Sequence, residues 1–415
     1  MLARWLGLAA LAAAIPVIAG CGGAPVAASE TAGNQLTIYS SLPLQGESAA
    51  ISQQLVNGEK LALSQAGGQV GPFKVAYVSL DDANPANGQW SPGETAGNAK
   101  QAAQDTSTIA YLGDYNSGAT AISLPNLNAA GILQVSPASP YVGLTSSLYA
   151  GQDEPGRFYL SGKRNFGRLQ PGDPAQAAAQ VRLMHMLGVK SVFVLDDQDA
   201  FQMPLASIVA ADAAQSGISV PAHHSIAIEP SSVFKGEVEK ILASHAQAVF
   251  VAAGGGAGTV QLWQDLHKAD PHLILLGGSG MDTPAFTSQI GSAGSVTYMT
   301  TPILPLGLYP PSSRRVISDY RRLFGGEPGP YALYGYESMS VVLDSIRRAG
   351  ARGNNRSKVI STFMSTHNRS SVIGRYSIEP NGETTLPTYG VNRVAQGQPV
   401  FYRAIDTAAP IPPGG

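Results

Sequence analysis

The chain has 415 residues, a formal net charge of −2 and only 13% charged residues. That balance lacks the basic footprint of a nucleic-acid binder, and the length exceeds what one hydrophobic core of about 100–200 residues usually organises. The sole cysteine excludes an internal disulfide framework, so the fold has to be held by its apolar core.

The first residues bear on the compartment. Arg4 precedes an uncharged apolar run from Trp5 to Ala19, the layout of a secretory signal peptide and too short for a comfortable membrane span, which takes about 20 apolar residues. The run ends in Ile18-Ala19-Gly20-Cys21, a small-residue cleavage site directly before the cysteine. That resembles a bacterial lipobox, and the resemblance implies cleavage before Cys21, acylation of its thiol and a mature protein held by lipid on the outer face of the cell membrane. An ordinary signal peptide with an incidental cysteine is the alternative. Gly22 to Asn34, rich in Gly, Ala, Ser and Thr, offers little apolar surface to bury and reads as a flexible tether. No later apolar run is long enough to span a membrane.

Beyond the tether, short β-rich runs alternate with amphipathic helical stretches, the pattern of a parallel α/β fold. Leu36–Ser40, Phe73–Leu80, Thr108–Gly113 and Ile132–Val135 read as strands, separated by helices at Glu47–Gln65, Gly93–Gln104 and Ala119–Ala130. Gly143–Phe166, aperiodic and rich in Gly, Ser and Pro, reads as a crossover. A second set follows, with strands Lys190–Asp196, Gln247–Ala252, Leu273–Gly277 and Ser295–Thr300 between helices Pro174–Leu187, Gln202–Ser216, Phe234–Ser244 and Thr259–Lys268. A Pro-rich stretch, Pro302–Pro311, leads to helices at Ser312–Phe324, Tyr331–Ala349 and Ser357–Met364. Ser371–Ser377, Thr388–Val394 and Val400–Ala404 look like antiparallel strands with a turn at Pro380-Asn381-Gly382, and the tail from 406 to 415 reads as disordered. The expected architecture is two doubly wound, Rossmann-like lobes. Residues 35–150 plus about 302–370 form the first, and 151–301 plus about 371–405 the second.

Several segments carry a family resemblance. YSSLPLQGES at 39–48, Asn57-Gly58-Glu59-Lys60-Leu61-Ala62, Asp81-Asp82, GDYNSGAT at 113–120, VSPASP at 135–140, YALYGYESMSVVLDSIRRAG at 331–350 and YSIEPNGETTLPTYG at 376–390 stand in chain order. Together they resemble the type I periplasmic-binding fold with its multi-stranded hinge, and within it the leucine/isoleucine/valine-binding receptors and their amide- and urea-binding relatives, over about residues 34–405. The resemblance implies the extracytoplasmic solute receptor of an ABC importer. Such a receptor closes about a hinge on a small polar, amino-acid- or amide-like ligand and presents it to permease subunits, working as a monomer with no cofactor. A non-transporting lipoprotein of the same fold, sensing or regulating an envelope enzyme, is the rival reading.

Ligands of open parallel sheets bind beyond the carboxyl ends of strands, at helix N-termini. Ser117 and Thr120 stand there, with Gly118 allowing close approach to the backbone, and the same hydroxyls would also serve simply as helix caps. By the resemblance, Ser117 matches a hydroxyl that holds a ligand carboxylate, Ala138 and Ser139 match residues giving backbone contacts, and Phe201 occupies the place of a Tyr or Phe that often follows the second lobe's first strand. Ser279 stands where the amino-acid receptors place the carboxylate that pairs with the ammonium group, leaving Asp282 as a substitute or the ligand as something other than a simple amino acid. The glycine run Gly254–Gly258 lacks a P-loop Lys-Ser/Thr and reads as a turn, and Asp196, Asp197 and Asp199 suggest a metal or, by the resemblance, a structural cluster. No His-Glu-x-x-His, Gly-x-Ser-x-Gly or cysteine ligand set is present, so neither an enzyme nor a metal site is expected.

Overall fold

The chain folds around two sheets, and the computed structural model describes residues 29–31 and 33–408. The expected signal sequence, Cys21, most of the Gly22–Asn34 segment and residues 409–415 lie outside the described residues.

The first sheet is built from β1 (Gln35–Leu42), β2 (Gln69–Val70), β3 (Phe73–Asp81), β4 (Thr108–Leu112), β5 (Leu133–Ser136) and β6 (Phe166–Arg168), in the order β2-β3-β1-β4-β5-β6. Helices α1 (Ala49–Gln65), α2 (Pro92–Gln104) and α3 (Ser117–Ala129) make the crossovers. The second sheet runs β15-β14-β11-β10-β9-β7-β8. Its parallel part comprises β7 (Val192–Asp196), β8 (His223–Ser225), β9 (Ala248–Ala252), β10 (Ile274–Gly277) and β11 (Thr297–Thr301). They are linked through α5 (Met203–Gln215), α6 (Lys235–Ala243), α7 (Ala257–Ala269) and the short α8 (Pro284–Thr287), while α4 (Asp173–Met186) leads into β7. Strands β14 (Thr388–Ala395) and β15 (Gln398–Asp406) add antiparallel to β11. Every residue of β4, β7 and β9 is buried, as central parallel strands covered on both faces require.

The chain passes between the lobes three times. It leaves the first sheet after β6, returns after β11 to lay α9 (Ser313–Phe324), α10 (Tyr331–Ala349) and α11 (Arg356–Met364) on the first lobe, and leaves again before β14. These passages form the multi-stranded hinge.

The lobe boundaries expected from sequence need correction. Strand β6 pairs with β5 through Val135 and Gly167, so the first lobe extends past residue 150 to Arg168. Ser371–Ser377 is not a strand of the second sheet. It lies largely between β12 (Arg369–Ser370) and β13 (Arg375–Tyr376), which pair only with each other, and Val372, Ile373, Tyr376 and Ile378 sit in the first-lobe core. Arg369 Nε donates to Glu337 Oε1 at 2.5 Å and the Tyr376 hydroxyl to the same oxygen at 2.8 Å, pinning this segment to α10. The end of the expected tether is also held: the Arg356 N–H donates to Ser29 O at 2.8 Å and the Thr31 N–H to Asn354 O at 2.9 Å. Backbone pairing orders those residues where apolar burial would not. Strands β2, β6 and β8 are two or three residues long, too short to show a period in the sequence.

Helices α1 and α10 touch backbone to backbone. A Cβ on Gly58 would lie 2.1 Å from Ala332 O, and one on Gly335 would lie 2.1 Å from Leu55 O. Two glycines facing each other's helix bring the axes closer than any side chain allows, and this contact seats the returning segment on the first lobe. Gly335→Ala is therefore expected to destabilise the protein by at least about 1–3 kcal/mol, the usual cost of overpacking. Urea denaturation checks it, with the expected result a lowered midpoint at unchanged slope.

Candidate functional site

The loops that follow the carboxyl ends of the parallel strands in both lobes line one cleft of about 400 Å³. From the first lobe come Trp90, Tyr115–Gly118 at the start of α3, and Ala138 and Pro140 after β5; Tyr331 begins α10. The hinge and second lobe supply Gln170, Asp173 and Gln176, then Asp197, Asp199, Phe201, Gln202 and Leu205 after β7, Gly254 after β9, and Ser279 and Gly280 after β10.

Four of the residues singled out from sequence, Ser117, Ala138, Phe201 and Ser279, line this cleft. Ser117 Oγ accepts from the Tyr141 N–H at 3.2 Å and tops the first turn of α3, whose leading N–H groups have no partner within the helix. Phe201 reaches from the second lobe to the first. Its ring stands edge-on to Tyr141 at 5.0 Å, and a Cβ on Gly118 would lie 3.1 Å from Phe201 Cε2 and 2.7 Å from Trp90 Cζ2. Glycine at 118 is thus what lets two aromatic rings from opposite lobes close over the helix start. Trp90 and Tyr115 line the same space.

Thr120, Ser139 and Asp282 stand elsewhere, which corrects their expected direct contact. Thr120 and Ser139 are fully buried behind the wall, their hydroxyls 2.7 Å apart. Ser139 Oγ and Ser136 Oγ donate to Asp114 O at 3.0 and 2.8 Å, and the Asp114 N–H donates to Thr120 Oγ1 at 3.3 Å. They brace the cleft-lining loop rather than face a ligand. Asp282 accepts Asn392 Nδ2 on both oxygens at 3.0 and 2.9 Å, and burial pushes its carboxyl up to about 6. Held by β14, it is not part of the cleft lining. Glu337 is committed to Arg369 and Tyr376, and Trp263 is buried inside its lobe with Nε1 donating to Thr297 Oγ1 at 3.0 Å.

The acidic cluster divides in two. Asp196 is buried and paired with His223 Nε2 and Ser225 Oγ, each at 2.8 Å, whereas Asp197 and Asp199 line the cleft. Burial and the neighbouring Asp199 hold the Asp197 carboxyl above the usual range. Asp173, almost fully buried, accepts from the Val142 N–H at 2.8 Å and is pushed up to about 7 by burial. Asp173, Gln170 and Gln176 carried no recognisable signal and Tyr331 stood only as the start of a family segment, because the fold alone brings α4, the hinge and α10 to one mouth. Among the described residues no group of three or more His, Cys, Asp or Glu is placed to hold a metal. Gly254–Gly258 forms a turn into α7, with Thr259 Oγ1 donating to Gly254 O at 2.6 Å and Gly258 pressed against the Ile228 and Glu229 carbonyls.

Two buried features hold the walls. The Arg168 guanidinium, with no solvent exposure, donates to Ser139 O at 2.5 Å, Tyr141 O at 2.8 Å and Thr145 Oγ1 at 2.8 Å, and pairs with Glu383 at 3.0 Å. Beneath the Asp114 loop, Asp114 is met by Ser123 Oγ at 2.5 Å and Tyr111 Oη at 3.1 Å, while among the described residues Asp82 has only Ser41 Oγ at 3.5 Å as a side-chain donor. Burial and the mutual repulsion of these acids push Asp82 up to about 8, and burial pushes Asp114 up to about 7. Asp114, with more donors, is the better place for the negative charge, leaving the proton on Asp82.

A family model for periplasmic binding proteins matches residues 36–398. The chain belongs to that family. It is a family of binding proteins, not of enzymes, and its members work outside the cytoplasm. Among solved structures, the chain is similar to the leucine-binding protein LivK of Thermotoga maritima, with TM-score 0.73, 21% identity, and 89% of this chain and 99% of that one covered. It is also similar to the branched-chain amino acid transporter substrate-binding protein LivJ of Streptococcus pneumoniae in complex with isoleucine, at TM-score 0.67 and 17% identity over 89% of this chain and 100% of that one. A solute-binding protein of an ABC transporter from R. palustris in complex with benzoate has TM-score 0.67 and 15% identity, over 89% and 96%. Likeness at these identities shows the fold. No curated protein matches the sequence at a significant level.

The carboxyl pair makes stability depend on pH with a definite sign. The folded chain keeps a proton on Asp82 from its ordinary 3.8 up to about 8, so across that window it binds more protons than the unfolded chain, and stability is lost as pH rises. Asp82→Asn removes this titration. Denaturation at pH values from about 5 to about 8 should show a flatter fall in stability in the variant than in the parent, with the larger gain on the alkaline side.

Proposed function

We propose that this member of the family is the lipid-anchored solute receptor of an ABC importer, taking a small polar, amino-acid- or amide-like molecule into the interlobe cleft by hinge closure. The observation that carries the reading is a cleft lined from both lobes, with Phe201 of one lobe meeting Tyr141 and Gly118 of the other. Its volume, about 400 Å³, lies in the range of small-molecule sites and favours a receptor over a regulator with a degenerate cleft. Relatives of this fold carry isoleucine and benzoate, both small molecules with a carboxylate.

In this reading the start of α3 receives the ligand's carboxylate or amide oxygen: its first N–H groups and the Ser117 hydroxyl converge there, and the dipole of the helix favours negative charge. Ala138 offers backbone to the same end, while Phe201 and Ser279 contact the ligand from the second lobe. Contacts that exist only when both lobes engage supply the differential affinity that shifts the hinge toward closure. Thr120 and Ser139 act through the loop they brace. Permease subunits recognise the closed receptor, and a lipid on Cys21 keeps it near them, raising its effective concentration. The receptor works as a monomer without a cofactor.

A ligand present at 100 times its dissociation constant should stabilise the folded chain by about 2.7 kcal/mol. A thermal-shift screen of the mature chain with amino acids, amides, urea, polyamines and aromatic acids is therefore expected to give at least one clear rise in melting temperature. Ser117→Ala should weaken that ligand roughly tenfold, the worth of one hydrogen bond. A well-folded protein silent across the panel would speak against the receptor reading. In cells, Cys21→Ser should move the protein from the membrane to the soluble fraction, and a variant that stays at the membrane would refute the lipid anchor.

A further inference from the structure

The walls of the cleft carry an excess of one charge. Among the described residues three carboxyl groups line it, those of Asp173, Asp197 and Asp199, and no Lys, Arg or His does. Resting on the reading of the chain as a solute receptor, we propose that the cleft selects a net-positive organic ligand, one bearing an ammonium or guanidinium group beyond any that its own carboxylate neutralises, over neutral aliphatic amino acids and anionic aromatic acids.

Asp197 and Asp199 are the recognising pair. Their oxygens accept only backbone N–H groups among the described residues: Asp197 Oδ1 from Asp199 at 3.1 Å, Asp197 Oδ2 from Gly254 at 3.4 Å, and Asp199 Oδ1 from Phe201 at 2.8 Å. Backbone donors fix these carboxylates in place without cancelling their charge, so a cation entering the cleft finds them oriented. Asp173 contributes little to the field, since burial pushes its carboxyl up to about 7 and its Oδ2 is taken by the Val142 N–H. The Arg168 guanidinium is buried and spent on Ser139, Tyr141, Thr145 and Glu383, so it does not neutralise the mouth.

A second observation concerns hydrogen-bond donors. Asn116 lines the cleft, and its Oδ1 is buried without a hydrogen-bond partner among the described residues. A buried acceptor left unmet costs free energy that a ligand N–H would recover. Aromatic rings supply a third: Trp90, Tyr115, Phe201 and Tyr331 line the same space, and ring faces attract a cation where they disfavour an anion. Acceptors, fixed carboxylates and rings on one side, with the start of α3 on the other, match a ligand that carries a cationic group at one end.

Calorimetric titration of the mature chain with L-arginine, L-lysine and putrescine, against L-leucine and benzoate, tests the proposal. At least one of the three cations is expected to bind at least tenfold more tightly than leucine or benzoate, with affinity falling as salt is raised. Asp197→Asn and Asp199→Asn, alone and together, should cut cation binding tenfold or more while an unchanged unliganded melting temperature shows that each variant folds. Leucine or benzoate binding as well as or better than the cations overturns the charge selectivity and leaves the receptor reading intact. Binding of none of the five overturns the proposal, and only a silent wider panel of solutes overturns the receptor reading with it. Cation binding that both variants retain overturns the assignment to Asp197 and Asp199.

Discussion

A guanidinium with no access to solvent joins the parts on which the cleft depends. Arg168 ends β6, at the first passage between the lobes, and holds the carbonyls of Ser139 and Tyr141, which belong to the first-lobe wall. Its ionic partner Glu383 stands just ahead of the third passage and also accepts from Thr145 Oγ1. Burying a cation costs several kcal/mol unless carbonyls and a counter-ion replace the water it loses. Here the replacements are the hinge and the ligand wall themselves, so the arrangement of one fixes the arrangement of the other.

Around that joint the molecule separates the packed core from the cleft lining. Stability comes from fully buried strands and from the glycine contact of Gly58 and Gly335, which seats α10 on α1. The cleft is formed by loop residues at strand ends: Ser117 and Gly118 on one side, Asp197, Phe201 and Ser279 on the other. Between them lies a layer of hydroxyls and acids, Ser136, Ser139, Thr120, Asp114 and Asp82, that touches no solvent and gives the wall its shape. Such a layer is costly if any member lacks a partner, which makes it specific.

Much of this was legible from residue order. The two α/β sets, the returning helices and the final strand pair follow from periodicity. Ser117, Ala138, Phe201 and Ser279 were found because loops after parallel strands converge and the family resemblance picked out positions among them. Other features were not legible, for physical reasons. Strands β2, β6 and β8 are too short to have a period, and without β6 the first lobe seems to end at 150. Val372 and Ile373 mark burial without saying which lobe buries them; Arg369 and Tyr376 on Glu337 decide that through side chains far apart in sequence. Thr120 and Ser139 are the right residue types one layer too deep, and Asp282 is turned to Asn392, which are properties of packing rather than order. The acidic face was visible as Asp196, Asp197 and Asp199, but only the fold shows that the first turns toward His223 while the other two line the cleft.

The central claim is that a solute is held between the lobes, against the wall that Trp90 shares with Phe201. Of the three tryptophans, Trp5 lies in the segment read from sequence as a signal peptide, Trp263 is fully buried within the second lobe, and Trp90 lines the cleft. Titrating the mature chain with a solute that raises its melting temperature while following tryptophan emission isolates Trp90 as the reporter, with Trp90→Phe as the control. A saturable change that disappears in the control, at an affinity matching the calorimetric one, is what the account predicts. Stabilisation by a solute that leaves Trp90 emission unchanged would place the binding site elsewhere and contradict it.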